Sequence, residues 1–191
     1  MEDLRGSGEV LQRTPEKQAI IDRSIDLVAE QSVAHGPNSV MLESGLKQAA
    51  LLLVGEVDGT PYGFDRLATF YADRAAADPV FAHGQLTFAA RIAEEFPVSV
   101  EVAERLVAAC IRQGSSHAAV NVAQKRIGRN LTEEEVLGLA IRSTSDHATY
   151  GSDDRERHVK IAAENGASPE VVAEINRLFD DKDRVWANSF D

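Results

Sequence analysis

Apolar residues recur along this chain every three or four positions, and short polar clusters interrupt them at intervals. After Thr14-Pro15-Glu16, the residues Ile20, Ile21, Ile25, Leu27 and Val28 form one helical apolar face. A capping threonine followed by proline at the first helical position predicts a helix start there, with an end near Ala34. The segment HGPNS (35–39) breaks the pattern. A second helix is expected over about 39–53, with Leu42, Leu46, Ala49, Ala50 and Leu53 on one side. The loop GEVDGTPYGFD (55–65) is rich in turn formers. A third helix is expected from Phe64 to about Ala77, with a stop at Asp78-Pro79. No run alternates over five or more residues, so no strand is predicted.

The second half repeats one layout. IAAENGASPEVVAEI (161–175) and IAEEFPVSVEVAERL (92–106) share six of fifteen positions without a gap. VAQKRIGRNLTEEEVLGL (122–139) follows the same plan with three extra residues in the turn. Each stretch reads as a helix, a tight turn, a capping Ser or Thr, an acidic first turn and a second amphipathic helix. The acids near those helix starts offset the positive dipole end and reach free amides. A hairpin of this kind cannot bury its apolar face alone, so stacking is the physical reason to repeat it.

The expected fold is therefore all-α: a compact helical bundle, in one globular domain, whose C-terminal part stacks α-hairpin units. Residues 1–13 read as a flexible lead-in, 14–77 as N-terminal helices, and 182–191 as a tail. The hairpin region spans 78–181, with units at about 86–114, 116–143 and 153–181.

Composition fits this pattern. Of the 191 residues, 43% are apolar and only 6% aromatic, a balance suited to close-packed helices. Thirty-one acids against 20 bases give a net charge of −11, spread over both halves. An acidic surface favours a basic protein partner and works against nucleic acid or anionic membrane. The longest apolar run, AALLLVG (49–55), is far too short to span a bilayer. The single cysteine, Cys110, excludes an intrachain disulfide and a Cys-rich metal site, and a cytoplasmic location is expected.

A helix-turn-helix DNA reader is the competing use of the hairpin layout. Its second helix would meet DNA at its N-terminal end, where this chain places Glu101 and Glu104, Glu133 to Glu135, or Glu170 and Glu174. Those acids would repel phosphate where contact is closest, while Arg105 and Arg177 come later and stand nearly alone.

The cluster SDHATYGSDDRERH (145–158) supplies Asp146, His147, Asp154 and His158 as candidate metal ligands, since imidazole and carboxylate suit zinc, manganese or iron. Asp154 and His158 are four apart, on one side of a helix that starts near Asp153. The competing reading is a solvated loop that caps the next helix. No H-E-x-x-H, Walker loop, G-x-G-x-x-G or G-x-S-x-G occurs, and no cofactor is expected. Cys110 sits on a strongly apolar helix and reads as a small core hydrophobe. His35 and His83 read as cations beside helix C-termini. Tyr62, Phe64 and Trp186 are candidate partner anchors, with core packing as the alternative for the first two and docking on its own domain for Trp186.

The expected function is that of a non-enzymatic acidic interaction module: an adaptor, inhibitor or immunity-type protein with a basic protein partner. A homo-oligomer is compatible with this reading. The alternatives are a transcription-associated DNA-binding protein and a metal-dependent enzyme using the 146–158 cluster.

Overall fold

The computed structural model describes residues 14–35, 61–77, 82–145 and 153–187. Among them every regular element is helical, so the fold is all-α. Helix α1 (Pro15–His35) starts where expected, with the Thr14 hydroxyl accepting from the Lys17 amide at 3.3 Å. Its apolar face divides: Ile21 and Ile25 are buried, whereas Ile20 and Leu27 are exposed. The lead-in 1–13, the expected helix at 39–53, most of the glycine-rich loop and the Asp78-Pro79 stop lie outside the described residues.

Helix α2 (Tyr62–Ala77) begins two residues earlier than its apolar pattern indicated. Among the described residues its most extensive helix pairing is with α3 (Ala82–Glu95). Leu67, Ala68, Ala75, Leu86, Ala89 and Ala93 are buried in that region of the core. Small alanines let the two backbones approach, and Tyr71 fills space against Phe70 and Phe88. One sequence expectation fails here. His83 lies in the first turn of α3, not at a helix C-terminus, because Gly84 continues the helix instead of ending it.

Helix α4 (Val100–Arg112) is the hub, touching α2, α3 and the elements that follow as far as Ser145. Ala103, Leu106, Val107 and Cys110 along it are fully buried. Helix α5 (Ser116–Asn121) widens into π-helical turns over Val122–Ile127, where the Gly128 amide reaches five residues back to the Ala123 carbonyl at 2.9 Å. Helix α6 (Glu133–Ser145) then packs against α4 and against the last pair, α7 (Asp153–Glu164) and α8 (Pro169–Ala187). Its Gly138 permits the contact with α4: a Cβ there would stand 3.0 Å from Ile111 Cγ2. The expected units at about 86–114 and 153–181 fall on the packed pairs α3–α4 and α7–α8, and the unit at 116–143 falls on α5 and α6. The middle one departs from a simple antiparallel pair, since α6 packs principally on neighbouring units.

Glycine ends the helices where the chain must turn left-handed. Gly114, Gly128 and Gly166 have φ of 71°, 80° and 74°. After Gly166 the Ala167 amide returns to the Ala162 carbonyl at 2.9 Å, the 6→1 bond of a Schellman ending. Nothing lies within 4 Å of a Cβ added at Gly166, so Gly166→Ala isolates backbone strain. It should lower stability by about 1–2 kcal/mol in urea denaturation, with Gly166→Asn costing less. An unchanged midpoint in Gly166→Ala would contradict this reading of the turn.

Candidate functional site

The polar chemistry of the described residues concentrates where second helices begin. A helix start leaves amides without intrahelical acceptors, and each must find one. At α4, the Ser99 hydroxyl accepts from the Val102 amide at 3.3 Å, while the Ser99 amide donates to Asp65 of α2 at 2.7 Å. At α6, Thr132 and Glu135 form a reciprocal capping box. The Glu135 amide donates to the Thr132 hydroxyl at 3.2 Å, and the Thr132 amide donates to the Glu135 carboxylate at 2.8 Å. At α8, the Ser168 amide donates to Glu133 of α6 at 2.7 Å. The Ser168 hydroxyl and amide together hold the Glu133 carboxyl below its ordinary range.

Side chains also lace the turns to one another. Buried Asn165, before the α8 turn, accepts from the Leu131 amide at 2.8 Å and donates to the Ile161 carbonyl at 2.8 Å. Arg126 donates to the Val98 carbonyl at 2.5 Å. Arg129 sits between Glu104 of α4 and Glu135 of α6, with bonds of 2.5–2.9 Å to both carboxylates, and also donates to the Asn130 carbonyl at 3.0 Å. The Arg129 guanidinium is the main reason both carboxyls are held low, and the two carboxylates in turn keep Arg129 charged. The turns preceding α4, α6 and α8 consequently lie along one edge.

That edge presents a regular charge. Glu101, Glu134 and Glu170 occupy the second position of α4, α6 and α8. All three are exposed, and none has a hydrogen bond or ion pair among the described residues. The acids beside them (Glu104, Glu133 and Glu135) are engaged as above. Later on α8, exposed Arg177 is held by Glu174 at 2.6 Å and Asp181 at 2.8 Å.

The other candidate residues fall as follows. Asp146 and His147 lie outside the described residues. The Asp154 carboxylate pairs with Arg157 at 3.0 Å. His158 is buried; its Nδ1 lies 2.8 Å from the Asp154 backbone carbonyl and its ring packs 5.6 Å from Phe179. Helical spacing thus brings His158 to the backbone of Asp154, not to its carboxylate. Among the described residues no three His, Cys, Asp or Glu side chains are grouped so that they could hold a metal ion. The Tyr62 hydroxyl accepts from Gln18 and donates to Asp22, both at 3.0 Å, tying α2 to α1 with help from the Arg66–Asp22 ion pair. The Phe64 ring is buried and stacks on Phe96 at 4.8 Å. Trp186 is in the last turn of α8, and its side chain lies outside the described residues. Burial pushes the Cys110 thiol up to about 12, so it stays protonated near neutrality.

Sequence reasoning did not single out Asp65, Arg129 and Asn165. Their partners lie 25 to 34 residues away, apart from the local contacts of Arg129 with Asn130 and Glu135 and of Asn165 with Ile161. The one local signal available was the Thr132-x-x-Glu135 spacing of a capping box. Among the described residues no helix is long and apolar enough to cross a membrane. No protein-family model matches the chain, and comparison with curated proteins and with solved structures likewise finds no match.

His158 makes stability pH-dependent. Burial, the largest influence on it, holds its pKa below the ordinary 6.5 and outweighs the Asp154 carbonyl beside Nδ1. As pH falls below about 6.5 the unfolded chain takes up a proton that the folded ring resists, so stability declines. The loss levels off below the folded-state pKa. Urea midpoints measured from about pH 7 to 5 should fall less steeply in His158→Leu than in the wild type. Equal slopes would contradict the assignment.

Proposed function

We propose that this chain is a non-enzymatic acidic interaction module, of the adaptor, inhibitor or immunity type, whose partner is a basic protein. The observation that carries the reading is the trio Glu101, Glu134 and Glu170, repeated at the second position of the alternate helices α4, α6 and α8, whose starting turns are bonded to one another. A carboxylate near a helix N-terminus can satisfy local needs, but these three have no bonded partner among the described residues. Their neighbours fix the turns, so the charges stand on a braced frame. A braced row of charge meets a basic surface with little ordering entropy left to lose. It also speeds encounter and makes association sensitive to salt.

The same row opposes a DNA-reading role, because these carboxylates occupy the places that would approach phosphate. Arg177, the base nearest to such a role on α8, is already engaged by two acids. A protonated, buried Cys110 suits a reducing compartment, and we place the protein in the cytoplasm on that ground and the chain's acidic character.

The test is nuclease-treated capture from native extract, eluted along a salt gradient. The wild type is compared with Glu101→Gln/Glu134→Gln/Glu170→Gln. A basic protein released at moderate salt should bind the variant about tenfold more weakly, the combined effect of three exposed charges. Circular dichroism should show the variant folded. Capture that the variant leaves unchanged, or an eluate that nuclease abolishes, would overturn the proposal.

A further inference from the structure

A second surface carries the opposite charge. Helices α2 and α4 start at the same end, because Asp65 in the first turn of α2 takes the amide of Ser99 just before α4. Side by side, they enclose an open groove of about 220 Å³. Ala72 and Ala76 line it from α2 and Ala109 from α4, with Asp73 on the α2 side and Arg105 and Arg112 on the α4 side. Both arginines are exposed, and among the described residues neither has a hydrogen bond or an ion pair. This sets them apart from Arg23, Arg66, Arg91, Arg155, Arg157, Arg177 and Arg184, each of which is paired with a carboxylate. Two unengaged guanidinium groups in a chain of net charge −11 are an unmatched half of a charge pattern.

We propose that the groove between α2 and α4 docks an acidic amphipathic helix of a protein partner, whose carboxylates meet Arg105 and Arg112. The volume is below the roughly 300–1,000 Å³ of small-molecule sites, and an open trough suits a row of side chains better than an enclosed ligand. An alanine lining lets a third helix settle between the ridges of the first two. Arg105 and Arg112 are seven residues apart, hence about 10 Å along α4. Two acids separated by two turns on the incoming helix match that spacing. Asp73, on the opposite side, sets the orientation, since it accepts a basic or hydrogen-bonding residue there and repels an acid. The partner is complementary in sign to the one proposed for the Glu101–Glu134–Glu170 edge, so the chain would bridge two proteins through separate faces.

The probe is a fluorescein-labelled, alanine-based helical peptide with two glutamates two turns apart and a lysine on the flanking face, followed by anisotropy at low ionic strength. A peptide with glutamines in place of the glutamates is the control. The acidic peptide should bind the full-length protein and the control should not. Affinity should fall about tenfold in Arg105→Gln/Arg112→Gln, since two exposed charge pairs are lost. It should fall similarly in Ala76→Trp, which fills the trough from an exposed position and so spares the core. The Glu101→Gln/Glu134→Gln/Glu170→Gln variant should bind the peptide as well as the wild type does, which separates this proposal from the preceding one. Equal binding of the control peptide, no loss in the arginine variant, or no binding to the wild type would overturn it. Preferential binding of a single-stranded oligonucleotide would overturn it too.

Discussion

A helix start leaves amides without intrahelical acceptors, and one that is buried and left unpaired costs about 1–3 kcal/mol. The rest of this structure depends on how that constraint is met. Ser99 gives its amide to Asp65 and Ser168 gives its amide to Glu133, each on a different helix. Leu131 gives its amide to Asn165 in the following hairpin. Capping is therefore shared between units as well as local. The same bonds that complete a helix end fix the neighbouring unit against it, which places the acidic edge and holds α2 alongside α4.

Arg129 adds charge to that arrangement. It is about one-third exposed, as is Glu104 or somewhat more, so water screens the attraction and a deep-interior Coulomb energy does not apply. Its value lies in geometry: a planar fork bonded to two carboxylates fixes the approach of α4 and α6. The arrangement also leaves a surface with two signs of charge. Among the described residues, engaged acids and bases cancel near the turns, Glu101, Glu134 and Glu170 remain unpaired outside them, and Arg105 and Arg112 remain unpaired in the groove.

Much of the fold was legible in local pattern. Apolar spacing located the hairpins, and Thr14, Ser99 and Thr132 marked helix starts through chemistry that acts within three residues. His83 misled because a His-Gly pair resembles a helix ending, yet here the glycine continues the helix. The π-helical turns at Val122–Ile127 left only an indirect trace, the longer turn of the middle repeat. The site was less legible. Asp154 and His158 have the spacing of a shared helix face, but burial turns the ring toward backbone and toward Phe179. Phe64 reads in sequence as either a core ring or a partner anchor, and Phe96, 32 residues away, makes it a core ring. Roles set by distant partners have no local signature.

Native-state hydrogen exchange at the amides of Ser99, Leu131 and Ser168 tests the shared capping directly, because each sits at a turn yet has a side-chain acceptor from another element. The account predicts slow exchange, with opening free energies close to that of global unfolding. Exchange at the rate of open loops, while the core of α4 stays protected, would contradict it.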